Sequence, residues 1–494
     1  MLQALVLLVA AWVVAVALYG IYNVTLHPLR SYPGPLLWRA YRLPATLSLL
    51  KGRFPFDKLE LHKRYGPVVR VGPWELSYTS SAALKTIYGH HNPAVTGYSE
   101  FDKDRIEFLT SANGVWNVLS AYAEDHSRFR RLLSHSFSDK GLKEMQPRIQ
   151  ALIELLVKRL KEAADRGEYT NIAEWFNWTT FDVIGDLAFG SSFGCLEKQR
   201  TDPWIAAIGG NVKSFPVIAA IKRYHLTAIL PYLVPKKLAK FRAENLRRNE
   251  AQIEARIEQG TERGDFWDKV IEKSDFEKGT GMTKPEMVAN APALVLAGSE
   301  TTATLLSGTT YLLLKHPEVF KRLKQEVRAS FKDESEIDLQ SVSKLEYMLA
   351  VLDESMRIYT PVPKQGNRIV PKGGVMMAGQ WVPGGTSVEV SQYATSLSET
   401  NFRNPNSFVP DRWLNPPPTE YADDDRAARA TFSLGPRNCI GRNLAYAEMR
   451  LILAKICFNF DMELDEERCG DWIGDQKIFG LWEKGPLWMR LKRA

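Results

Sequence analysis

The sequence predicts a mainly α-helical protein with a small β region, preceded by one membrane-spanning helix. Three observations carry this. Residues 1–26 contain no charged side chain, and the run LQALVLLVAAWVVAVALYGIY is long enough to cross a bilayer as a helix. From Ala82 onward apolar residues recur at helical spacing, as in Leu345, Met348, Leu349, Leu352 and Met356, and again in Ile440, Leu444, Ala447, Leu451 and Ala454. Strand-like pieces are short: residues 67–71 and 75–79 around Gly72-Pro73, then 375–377, 381–382 and 387–390 with Gly384-Gly385 as a turn.

Composition sets the outer bounds. With 494 residues, 45% of them hydrophobic and 24% charged, the chain can bury one large core or two ordinary ones. The net charge of +7 is spread out, without a basic run interleaved with aromatics, so nucleic-acid binding has no support. A mild basic balance suits an anionic membrane or an acidic protein partner. The four cysteines, Cys195, Cys439, Cys457 and Cys469, form no C-x-x-C pair, which argues against a zinc site and a disulfide framework. Cys195 and Cys457 read as core residues and Cys469 as a loop thiol.

In chain order, residues 1–26 read as an uncleaved anchor. Ala15-Val16-Ala17 mimics a cleavage site, but no basic residue precedes the run and the apolar stretch continues past it. Arg30, Arg39 and Arg42 all follow the span, which puts the body of the protein on the cytosolic side. Residues 27–44, centred on Tyr32-Pro33-Gly34-Pro35, read as a stiff hinge rather than a helix, because proline fixes φ and removes donors. Residues 45–494 are then the body of the protein. Residues 229–235, apolar and followed by Lys236-Lys237, suit either a membrane-dipping loop or a buried connection. A long helix is expected from Thr283, capped by Thr283 and Glu286, to about Leu314, with Pro292 loosening one turn.

The chemistry concentrates at TFSLGPRNCIGRNLAYAEMRL, residues 431–451. Cys439 is framed by Phe432, Gly435, Arg437 and Gly441 and sits just before a helical stripe. A helix start stabilises a thiolate, and a thiolate ligates a soft or borderline metal such as haem iron. The spacing F-x-x-G-x-R-x-C-x-G resembles the haem-binding loop of the cytochrome P-450 superfamily. That resemblance implies Cys439 as proximal ligand to haem b, Arg437 on a propionate, and Phe432 beside the sulfur.

Further segments match the family in its order. His126 and Arg130, four apart on one helix face, correspond to a pair that bonds the propionates, with histidine here replacing the usual tryptophan. Arg128 and Arg131 point elsewhere and are candidates for docking an electron donor. Ala297-Gly298 offers a bare patch of helix for a flat cofactor and dioxygen. Glu300 and Thr301 match the acid–alcohol pair that relays protons during oxygen activation. Glu354 and Arg357, with Arg412, match a buried structural network beneath the haem, and Arg368 a further propionate partner. The loop 98–119 and residues 360–367 would lie over the pocket, and Phe479-Gly480-Leu481-Trp482 in a second turn lining it.

The resemblance implies a P-450 fold, a monooxygenase that inserts one atom of O2 into a small apolar molecule, and electrons from a separate NADPH-cytochrome P-450 reductase at the endoplasmic reticulum membrane. The cysteine loop, AGSETT and HSRFRRLLSHSFS resemble microsomal fungal members of secondary metabolism, with hydroxylation or epoxidation as the expected reaction. Two rivals remain at this stage: a haem-thiolate isomerase or dehydratase, which tends to lack the acid–alcohol pair, and a non-enzymatic membrane-anchored haem-binding protein.

Overall fold

The computed structural model describes residues 1–494 except 109, 207–212 and 230–235. The expected loop at residues 229–235 therefore lies almost entirely outside the described residues.

Helices dominate, as the apolar periodicity demands. The N-terminal helix Leu2–Thr25 is long and apolar enough to cross a membrane, and of its residues Gly20 and Asn23 are buried. The longest helix, Lys284–Lys315, opens on the expected capping box: the Thr283 side chain accepts from the Glu286 N–H, and the Glu286 carboxylate accepts from the Thr283 N–H. It runs through Pro292 without a break and packs along Ile172–Phe189, a helix buried on nearly every face. Residues 98–122 are fastened over its first half, where Asn113 donates to the Pro285 carbonyl, Ser111 to the Ala289 carbonyl, and the Val118 N–H to Asn290.

The β region is small. A five-stranded sheet runs β1 (Val68–Gly72), β2 (Glu75–Tyr78), β8 (Ser387–Val390), β5 (Arg368–Ile369), β3 (Asp102–Lys103). Its β2–β8 pair is parallel and the others antiparallel. The hairpin β6 (Val375–Met377) and β7 (Gln380–Val382) matches the expected pieces. A three-stranded sheet of β4 (Tyr169–Asn171), β10 (Trp488–Arg493) and β9 (Phe460–Leu464) was not anticipated, since those segments lack a clean alternation. One core fills the helical body, and a smaller one lies against the five-stranded sheet around Tyr32, Leu76, Tyr78 and Val388.

Three expectations need correction. The proline-rich segment carries a short helix, Leu36–Ala40, and Leu43 opens another, Leu43–Leu50. Proline is accommodated there at the helix starts, where its missing N–H costs nothing. Cys469 is no loop thiol: it ends the short helix Glu466–Cys469, is buried, and takes part in a hydrogen bond with the Trp488 backbone. Arg128 is not free to dock a partner, because its guanidinium is engaged by Glu286 at 2.6 Å and Asp125 at 2.8 Å; Arg131 is exposed.

Candidate active site and its cofactor pocket

Cys439 lies where a strongly bent loop meets the helix Arg442–Asn459, whose N-cap is Gly441. Two features bend the loop. Gly435 has φ +66°, and a Cβ there would fall 2.0 Å from the Tyr88 carbonyl oxygen, so only glycine fits. The Cys439 N–H then closes on the Phe432 carbonyl at 2.8 Å. Gly441 is different. Its φ is −85°, and a Cβ there would meet only Phe137, at 3.8 Å. The protein itself leaves that space beside the cysteine unfilled.

The Cys439 thiol is enclosed by protein yet exposed into a cavity of about 340 Å³. Burial pushes the thiol above its ordinary range, against the pull of the Gly441 N–H and the guanidinium groups of Arg130 and Arg442. The helix start alone therefore does not hold a thiolate here; a coordinated metal cation would.

The cavity gathers most of the expected residues. Phe432, Arg437, Cys439 and Gly441 line it from the loop, His126 and Arg130 from Ala123–Leu133, and Ala297, Gly298 and Thr301 from Lys284–Lys315. Val118 and Leu119 close it from the 98–122 loop, and Pro361 and Val362 from the segment after Glu346–Ile358. Phe479-Gly480-Leu481-Trp482, Gly435, Glu300 and Arg368 are not among the lining residues.

The long helix supplies the polar notch. The Thr301 hydroxyl donates to the Ala297 carbonyl at 2.6 Å and faces the cavity. Glu300 turns away, and its carboxylate is paired with Lys484, which also donates to Thr304 at 2.8 Å. Gly298 lines the cavity, but its bareness serves packing as well: a Cβ there would fall 2.7 Å from Ile184 Cδ1 on the neighbouring helix.

One flank of the cavity is strongly cationic. Arg437 is held by Glu100 at 2.6 Å and by the Ala121 carbonyl. Arg130 donates to the Asn438 carbonyl and side chain. His126 is 5% exposed, and its ring has no hydrogen-bond partner among the described residues. Burial, then Arg437, Lys103, Arg130 and Arg368, push it down to about 3, so it is neutral and able to donate. Arg368 sits behind the cavity wall and donates to the Gly366 and Asn367 carbonyls.

Beneath the site, Glu354, Arg357 and Arg412 form the expected network. Glu354 accepts from Arg357 at 2.7 Å and Arg412 at 3.1 Å, with all three fully buried. Sequence reasoning missed two members, Trp413, which donates to Glu354 at 2.8 Å, and Asp424, which pairs with Arg412. It also missed Glu448, which lines the cavity fully buried, with one oxygen unpartnered among the described residues; burial raises it to about 8. A lone carboxyl within an apolar helical stripe was its signal.

These residues fit an iron porphyrin with two propionates. A thiol opens on the cavity beside room that no side chain fills, and cations with few counter-charges stand on one flank.

Comparison with known proteins agrees. The family model for Cytochrome P450 matches residues 35–487. Averantin hydroxylase of Dothistroma septosporum is 52% identical over 97% of this chain and 89% of its own length. Averantin hydroxylase of Aspergillus parasiticus is 47% identical over 99% of this chain and 97% of its own length. Versicolorin B desaturase of Dothistroma septosporum is 43% identical over 98% and 92%. With a thiol-bearing cavity inside a helical body and kinship along its whole length, the chain belongs to the cytochrome P450 family and is a haem b monooxygenase of fungal secondary metabolism.

Proposed function

We propose that this monooxygenase hydroxylates averantin or a close relative of it. The observation that carries the reading is the 52% identity with an averantin hydroxylase across 97% of the chain. The apolar cavity walls, with Val118, Leu119, Ile184, Phe266 and Leu294, suit a small apolar substrate.

Cys439 would hold the iron through its sulfur, and Arg130, Arg437, His126 and Arg368 would neutralise the propionates. When bound, the haem supplies dioxygen activation and the oxidation itself. The chain supplies position, dryness and protons. Phe432, which lines the cavity with Cys439, would shield the sulfur, and the Gly441 N–H would tune it. Ala297 and Gly298 keep the roof of the cavity low. Thr301 holds a hydroxyl at the cavity wall, from which a proton can be donated once its bond to the Ala297 carbonyl is exchanged. Glu300 is paired with Lys484 beside Thr304 and turned from the cavity, so it would join a proton relay to Thr301 only in a rotamer that frees its carboxylate to take up a proton from solvent.

Electrons come from NADPH-cytochrome P-450 reductase, and O2 is the second substrate. The apolar helix Leu2–Thr25 suits a single-pass anchor in the endoplasmic reticulum membrane, with the catalytic domain cytosolic. On this reading residues 1–26 are the anchor, 27–44 the connecting segment and 45–494 the catalytic domain.

A second reaction has its own support, since a versicolorin B desaturase is 43% identical over 98% of the chain. The two readings separate in microsomes holding this chain, the reductase and NADPH. Averantin converted to a product with one added oxygen supports hydroxylation. Conversion of versicolorin B with loss of two hydrogens, and no turnover of averantin, would overturn it.

A further inference from the structure

One carboxyl group at the cavity is engaged by nothing around it. Glu448 lines the cavity from the helix Arg442–Asn459, on a face shared with Leu444, Ala445 and Met449. The residue is 1% exposed. Its Oε1 is sealed from solvent without a partner, and its carboxyl group forms no hydrogen bond or ion pair among the described residues. Acids buried elsewhere are satisfied. Glu354 accepts from Arg357 and Arg412, and Asp182 from the N–H groups of Cys195 and Leu196 at 3.0 and 2.8 Å.

A buried ionised carboxylate without a counter-charge is expensive, whereas the protonated acid needs only a hydrogen-bond partner. Burial alone pushes Glu448 up to about 8, with no charged group acting on it from a neighbouring element. It therefore faces the cavity as a neutral acid, with an O–H to donate and a carbonyl oxygen to accept. Thr302 opens on the same cavity from the long helix and is 3% exposed. Its hydroxyl too forms no hydrogen bond among the described residues. Unsatisfied polar groups around an enclosed space are the pattern that buried water completes.

We propose that Glu448 is a proton-holding residue, a neutral carboxylic acid that binds water inside the cavity and keeps a proton there for the oxygenation. The inference rests on the monooxygenase reading above. Monooxygenation consumes protons as well as electrons, because the second oxygen atom leaves as water. Thr301 places a hydroxyl at the wall, and Glu300 is turned away. In the proposed step the Glu448 O–H bond breaks and its proton passes to the bound water. The carboxylate left behind takes up a proton from solvent before the next turnover.

The test uses the full-length holoenzyme with Glu448→Gln, which keeps the shape and removes the proton, and Glu448→Asp, which keeps an acid. The infrared difference between parent and variant at neutral pH reads the carbonyl stretch of a protonated carboxylic acid. A band is expected that is lost in Glu448→Gln and moves to lower frequency in D2O. It should lie where a hydrogen-bonded acid absorbs, not an isolated one. With averantin, NADPH and the reductase, product per NADPH is expected to fall about ten-fold in Glu448→Gln, less than the roughly hundred-fold loss typical of a sole proton donor, because Thr301 remains. Glu448→Asp should recover part of that loss. The solvent deuterium isotope effect on turnover should rise in Glu448→Gln alone.

No band lost in Glu448→Gln would overturn the proposal, since the group would then be ionised. A lost band at the frequency of an isolated acid would overturn the bound water. A lost band with unchanged product per NADPH and isotope effect would overturn the proton-holding role. Should Glu448→Gln fail to accumulate, Glu448→Asp decides: the band should shift in frequency, and an unmoved band overturns the assignment. A parent without the red-shifted thiolate band, or without turnover of averantin, would sink the monooxygenase or substrate reading instead. The infrared comparison would then by itself uphold or overturn Glu448 as a neutral, water-bound acid.

Discussion

At the level of single residues, Glu300 and Thr301 are neighbours in sequence but differ in surroundings. Thr301 faces the cavity and bonds only its own helix, so Thr301→Ala should leave the melting temperature nearly unchanged. It should divert reducing equivalents to peroxide; product formation that still tracks NADPH consumption at the parent ratio would refute the proton-donor role. Glu300→Gln leaves the buried Lys484 ammonium with neutral acceptors only. It should slow turnover and also cost about 1–3 kcal/mol of stability, read by thermal denaturation. Cys439→Ala should abolish the red-shifted reduced carbon monoxide band. His126 adds a pH signature. Its folded pKa is lowered to about 3 from 6.5, so the unfolded chain binds the proton more tightly. Stability supplied by this group is intact above 6.5 and is lost as pH falls from there toward 3. In haem-free protein the stability of His126→Asn should therefore gain on the parent across that window, and an unchanging difference would contradict the assignment.

At the level of elements, the site depends on two helices meeting at close range. Ile172–Phe189 approaches Lys284–Lys315 so nearly that a Cβ on Gly298 would overlap Ile184. Gly298→Ala should cost about 1–3 kcal/mol by overpacking. Adding Ile184→Ala should recover part of that loss, because the second change removes the obstructing methyl; a fully additive loss in the double variant would place the strain elsewhere. The contrast with Gly435 is instructive. There the obstacle is the Tyr88 carbonyl, and φ is positive, so no second substitution relieves Gly435→Ala. What the sequence could convey divides along the same line. Helix periodicity, the Thr283–Glu286 cap and the F-x-x-G-x-R-x-C-x-G frame are local, and each appears where the sequence placed it. Lys103 opposite Arg368, Glu300 on Lys484 and Arg412 on Asp424 are pairings set by tertiary contact. A side chain announces its type, but its partner is fixed only when the chain closes on itself.

At the level of the whole molecule, the apolar N-terminal helix is fastened to the body rather than tethered by a swinging linker. A Cβ on Gly20 would fall 2.2 Å from the Tyr41 hydroxyl, which donates to the Val16 carbonyl at 3.1 Å. The Asn23 side chain donates to the Ala40 carbonyl at 2.8 Å. Arg70, fully buried on β1, donates to the carbonyls of Asn23 at 2.8 Å, Leu29 at 3.2 Å and Pro73 at 2.8 Å. Three carbonyls thus complete one buried guanidinium; one belongs to the anchor, at Asn23, and one to the connecting segment, at Leu29. A chain shortened to begin at residue 22 keeps all three acceptors, whereas one beginning at residue 31 strips Arg70 of Asn23 and Leu29. Each lost acceptor on a buried charge costs about 1–3 kcal/mol. The first truncation should therefore melt within a few degrees of the full-length protein in the same detergent. The second should melt well below it and shed haem sooner, as the strand carrying Arg70 loosens in the sheet that also holds Arg368. Equal melting temperatures for the two truncations would show that the Arg70 clasp contributes nothing to the fold.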